Sequence, residues 1–102
     1  MDKIKFYLPD KTNTGEEVNP DILDNTIKEL CEISGGLTAY PAKGYWINQD
    51  NKLILENTLV LEINLILSDD NKNKVISLAK GFKTEAMQES VLLEFPGESL
   101  FI

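Results

Sequence analysis

Tyr40, Tyr45 and Trp46 fall close together in the chain, beside Thr38, Lys43, Pro41 and Gly44. Aromatic rings give a large contact area at low entropic cost, and a glycine lets a ligand or a second backbone approach, so this cluster could form a binding wall. The competing expectation makes Trp46 a core residue and Gly44 the mark of a β-bulge. Glu56 follows, either as a carboxylate presented to a ligand or as general base, or as a cross-strand partner of Lys43 or Lys52. Gln88 and Ser90 add an amide and a hydroxyl that could recognise a ligand beside Trp46, or satisfy loose backbone ends where a helix meets a strand. The candidate ligand-binding set is therefore Thr38, Tyr40, Lys43, Tyr45, Trp46, Glu56, Gln88 and Ser90. Glu56 and Glu62 share a strand face, but two carboxylates without a third clustered ligand do not make a metal site. Nothing in the sequence calls for a cofactor.

The residue types that are missing narrow the chemistry further. The chain has no histidine, its ten basic residues are all lysines, and its formal net charge is −7. Without arginine there is no bidentate fork for guanine edges or phosphates, and an acidic surface repels nucleic acid at long range, so no direct nucleic-acid binding is expected. Without histidine and with a single cysteine, structural zinc sites and Ser-His or Cys-His nucleophiles are excluded. Any catalysis would rest on carboxylates, Lys, Tyr, Ser or Thr. Cys31 falls on an apolar helix stripe and reads as a small hydrophobe.

These side chains must be held by elements that the patterning supplies. Ile4, Phe6 and Leu8 alternate with Lys3, Lys5 and Tyr7 as in a half-buried strand closed by Pro9 and Asp10. Lys11 to Val18 reads as an exposed loop. Asn19-Pro20 then caps a helix over about Asp21 to Ser34, with Leu23, Ile27, Leu30 and Cys31 on one stripe and Gly35-Gly36 as the stop. Leu37 to Asn48 reads as a strand that is kinked or at an edge, because it contains Pro41 and Gly44. After the turn Gln49 to Lys52, a long central strand begins at Leu53, with Leu59, Leu61, Ile63, Leu65 and Leu67 on one side. Ser68 caps a second helix carrying Val75, Leu78, Ala79, Phe82 and Ala86, and Val91, Leu93 and Phe95 form a further strand. Pro96-Gly97 turns into Ser99 to Ile102, a short additional strand.

At 102 residues, 42% of them hydrophobic, the chain is expected to form one domain over residues 1–102 with an order βαββαβ. Two helices cover one face of a four-stranded antiparallel sheet. The other face would carry Lys5, Tyr7, Val60, Glu62, Asn64, Ile66, Leu92 and Glu94. Its apolar members suggest self-association into a homo-oligomer. No apolar run reaches the length of a membrane span, no signal peptide is read at the N-terminus, and the lone cysteine does not call for an oxidising compartment, so a cytoplasmic location is expected.

Gly36-Leu37-Thr38, Gly44-Tyr45-Trp46, Glu56 and Gln88-Glu89-Ser90-Val91-Leu92 together resemble a family of small bacterial proteins known only as a domain of unknown function. Phe6 and Tyr7 stand where that family has an aromatic pair on its first strand. The family's usual glycine straight after that pair is not found here, and the lipoprotein-type leader of some members is not expected. The resemblance implies a ferredoxin-like α+β fold and brings no established activity.

Three kinds of function fit these residues. One is a non-enzymatic binding module that self-associates through the open sheet face. A second is a small enzyme of the dimeric ferredoxin-like kind, with Glu56 or Glu62 as base and Tyr40, Tyr45 or Gln88 orienting a small-molecule substrate. The third is a mobile-element inhibitor that blocks a host enzyme or sequesters a signalling nucleotide.

Overall fold

Alternating apolar residues build the sheet, and two capped amphipathic helices close one side of it. The computed structural model describes residues 1–102. In chain order the elements are β1 (Asp2–Pro9), α1 (Pro20–Ser34), β2 (Thr38–Ile47), β3 (Leu53–Leu65), α2 (Asp69–Glu85), β4 (Leu92–Phe95) and β5 (Glu98–Phe101). The Asn19 side chain accepts a hydrogen bond from the Asp21 N–H, Pro20 opens α1, and Gly35 ends it at φ 84° with its N–H bonded to the Cys31 carbonyl. Ser68 caps α2 by accepting from the Asn71 N–H. The stop of α2 is less ordinary, because Met87 takes the left-handed conformation at φ 53° that glycine adopts without penalty.

The sheet has five strands in the order β2-β3-β1-β4-β5, and every neighbouring pair is antiparallel. The expected four-stranded sheet is thus extended by β5, which pairs with β4 across the Pro96-Gly97 turn. Reciprocal backbone bonds between Val91 and Ile102 extend that pairing. Of the two expectations for β2, the edge position is found and the kink or bulge is not. Its register with β3 runs unbroken from Thr38 opposite Glu62 to Ile47 opposite Leu53. Pro41 is tolerated because β2 is an edge strand, where one side of the backbone needs no ladder partner.

Ile4, Phe6, Leu8, Leu61, Ile63, Leu65, Leu93 and Phe95 point from the sheet into a core shared with Leu30 of α1 and Val75, Ala79 and Phe82 of α2. Both helices therefore lie on that face. Leu67 falls beyond the end of β3, although it still packs against the core. No helix is long and apolar enough to cross a membrane.

Pairing between β1 and β3 ends at Pro9 opposite Thr58. Beyond that point the β2–β3 hairpin runs on alone as an arm, with a turn at Asn48 to Lys52. The Asn48 side-chain oxygen fixes this turn by accepting from the N–H groups of Asp50 and Lys52.

Candidate functional site

The face of the sheet away from the helices is built from side chains of opposite parity to the core. Strand alternation brings two rows across it. Thr38, Glu62, Lys5, Glu94 and Ser99 stand opposite one another in sequence across the five strands, as do Tyr40, Val60, Tyr7, Leu92 and Phe101. The first row is polar throughout. In the second, Val60 is only 1% exposed and lies outside the main core cluster, flanked across the ladders by the rings of Tyr7 and Tyr40.

The two rings also carry the polar chemistry. The Tyr40 hydroxyl donates to Glu62 Oε1 at 2.5 Å, and the Tyr7 hydroxyl donates to Glu94 Oε2 at 2.9 Å. Lys5 lies between the two carboxylates in register, with its Nζ 3.4 Å from Glu62 Oε1, while Lys3 Nζ is 3.7 Å from Glu62 Oε2. Glu62 is the hub, because three donors converge on it. Its pKa is held below the ordinary carboxylate value, first by the Tyr40 hydrogen bond and then by Lys5 and Lys3. The Lys5 ammonium is pushed up chiefly by its bond to Glu62, and the Tyr40 phenol is raised by the same carboxylate. The Tyr7 phenol is raised first by burial and then by Glu94.

These shifts decide what the cluster can do. A carboxylate with a depressed pKa is a weak base, and phenols with raised pKa values are weak acids, so proton transfer at neutral pH is not favoured in this state. Recognition is favoured. Two carboxylates and two ammoniums, edged by aromatic rings, offer acceptors to hydroxyl groups, one carboxylate, Glu94, that pairs with no lysine, and an apolar wall.

The eight residues expected to form a ligand site are dispersed. Thr38 and Tyr40 lie on the open face, at the β2 end of the two rows. Trp46 and Glu56 share that face but belong to the arm; Trp46 is six residues from Tyr40, roughly 20 Å along an extended strand. Trp46 is 48% exposed, which corrects the expectation of a core tryptophan. Lys43 and Tyr45 point to the opposite face of the arm. Gln88 lies between α2 and β4, where its side-chain amide donates to the Lys11 carbonyl at 2.6 Å and to the Ala86 carbonyl at 3.1 Å. Ser90 is exposed just ahead of β4.

Glu56 stands opposite Gly44 and forms no ion pair with Lys43 or Lys52. Six residues along β3 also separate it from Glu62, too far for one ion to bridge. The residues that do converge were legible only as a parity class. Lys5, Tyr7, Glu62 and Glu94 alternate with core residues, and which of them bond to one another depends on strand order.

Two shallow clefts lie elsewhere. One, of about 430 Å³, sits where the arm leaves the body and is lined by Asp10, Pro41, Lys43 and Asn57 among others. The second, of about 390 Å³, lies between the helices beside Ile33, Asp70, Lys74 and Leu78. Neither includes the Glu62 cluster.

Strand order, helix placement and the open polar face define an α+β protein of ferredoxin-like architecture with one added edge strand. The chain belongs to the family described as "Protein of unknown function (DUF3574)", whose model matches residues 9–96. No protein of curated function matches its sequence. Two solved structures share its fold. A phage SAM lyase in complex with S-methyl-5'-thioadenosine is 18% identical with a TM-score of 0.74, over 99% of this chain and 88% of that one. A phage SAM lyase in the apo state is 19% identical with a TM-score of 0.73, over 99% and 87% of the two chains.

Proposed function

We propose that this protein binds a small adenosyl sulfonium or thioether metabolite on its open sheet face, with Glu62, Tyr40, Lys5, Tyr7 and Glu94 as the recognising groups. The observation that carries the reading is the convergence of three donors on Glu62, on the one sheet face that the helices leave bare. The end-to-end fold likeness to a phage SAM lyase supplies the ligand class. SAM carries a positive sulfonium that Glu94, which pairs with no lysine, can attract and ribose hydroxyls that either carboxylate can accept from, and an acidic protein draws a cationic group toward its surface.

Binding to the folded state alone raises apparent stability by mass action, by about 2.7 kcal/mol when the ligand stands at a hundred times its Kd. SAM and S-methyl-5'-thioadenosine are therefore each expected to raise the melting temperature. Glu62→Gln should weaken SAM binding by about tenfold or more in calorimetry, because a charge-assisted contact is removed. Absence of any melting shift or heat with either compound at millimolar concentration overturns the reading. Turnover then separates its two forms: an enzyme releases S-methyl-5'-thioadenosine from SAM, whereas a binding module returns SAM unchanged.

A further inference from the structure

The arm carries the largest concentration of exposed apolar surface on the molecule, and it is distinct from the open-face cluster. Tyr45 is 60% exposed, Ile47 65%, Leu53 67% and Leu55 49%. Tyr45 pairs with Leu55 and Ile47 with Leu53, so all four side chains share one face of the ribbon. That face is continuous with the core face of the sheet, but it lies beyond the last residues of β1 and is not covered by the core. Side chains of this size, half to two-thirds exposed, leave on the order of 400 to 500 Å² bare, a patch size that marks an interaction site.

Charge identifies the occupant. The arm from Lys43 to Glu56 contains two lysines, Lys43 and Lys52, and two acids, Asp50 and Glu56, so its net charge is zero while the whole chain carries −7. None of these four groups forms an ion pair within the chain. Two copies would repel over the rest of their surface but not here. A two-fold interface brings the same patch together from both subunits and must be self-complementary. The arm meets that condition. With two arms packed face to face and antiparallel about the Tyr45–Ile47 segment, Lys43 at the root of one lies near Asp50 in the turn of the other, because each is roughly 10 Å from the centre.

We infer that the arm is a self-association surface, and that two copies pack their Tyr45, Ile47, Leu53 and Leu55 faces together with Lys43 of each beside Asp50 of the other. The buried area, about 900 Å² over both copies, lies at the weak end of specific interfaces, so the dimer is a reversible one.

Sedimentation velocity on the full chain, at concentrations up to about 500 µM, tests this. A concentration-dependent dimer is expected. The Leu53→Lys, Leu55→Lys double variant should stay monomeric throughout while melting as the wild type does, since both side chains are exposed. Lys43→Glu should weaken the dimer about fivefold, and adding Asp50→Lys should restore it. A wild-type monomer at the top concentration overturns the inference, whether or not the arm binds some other protein. So does a dimer that survives the leucine substitutions, or one that the charge exchange does not restore.

Discussion

Glu62 shows how one side chain can set the protonation of its neighbours. Its depressed pKa means that its contribution to stability is present above the ordinary carboxylate value of 4.5 and is lost as pH falls through the lower folded value. Lys5 and Tyr40 run the other way. Their raised values mean that their contributions are complete below 10.5 and 10.0 respectively and are lost as pH rises through the folded values. The cluster is therefore fully paired from just above the carboxylate range to about pH 10. An ultraviolet titration of the phenols checks this. Wild-type Tyr40 and Tyr7 should ionise above 10.0, and Glu62→Gln should move the Tyr40 step to lower pH. Glu94→Gln should move Tyr7 less, because burial is the larger cause there. A Glu62→Gln titration curve that overlays the wild type would rule out the Tyr40–Glu62 bond in solution.

Within helices and strands, local signals are legible wherever one residue type has one physical meaning. Asn19-Pro20 and Ser68 start helices, Gly35 stops one, and the alternation in β1 and β3 separates Phe6 and Leu61 from Tyr7 and Glu62. Legibility failed where meaning depends on pairing. Pro41 and Gly44 left a kink or an edge position open for β2, and only the pairing decides for a continuous edge strand, whereas the added strand after Pro96-Gly97 was legible although Phe101 on it is 74% exposed. The eight candidate residues are dispersed for a related reason. Residues close in sequence along β2 alternate between faces, so Tyr45 and Trp46 cannot share a wall, whereas Tyr40 meets Glu62 because β2 pairs with β3, and Lys5 joins them because β3 also pairs with β1.

Gln88 takes a structural role at the end of α2. Its amide and the Met87 carbonyl, which accepts from the Asn13 N–H at 2.9 Å, fasten the Lys11 to Val18 loop to the end of α2. Gln88→Ala should cost about 1 kcal/mol in urea unfolding. It should also speed hydrogen exchange at Asn13, with little effect on the amides of β3. Unchanged exchange at Asn13 would show that the tether does not hold the loop.

Across the whole molecule, the body and the arm are energetically separate. Every residue of the core cluster lies in the body, and none comes from the segment Lys43 to Asn57. Apolar burial scales with area removed from water, so an arm on which five of the six large apolar or aromatic side chains, all but Ile54, are exposed contributes little to the stability of a monomer. The pairing of Gly44 with Glu56 also offers a place to close the hairpin early. Replacing Tyr45 to Leu55 by Asn-Gly, which favours the tight turn that matches strand twist, should leave a folded protein. Its net charge is unchanged, because Asp50 and Lys52 leave together. The shortened chain should melt cooperatively within a few degrees of the wild type when both are monomeric. Because Glu62, Tyr40, Lys5, Tyr7 and Glu94 all lie in the body, it should also keep the phenol titration of the full-length protein. A non-cooperative melt would show that the arm supports the fold. A normal melt with lost phenol shifts would instead show that the arm orders the open face from a distance.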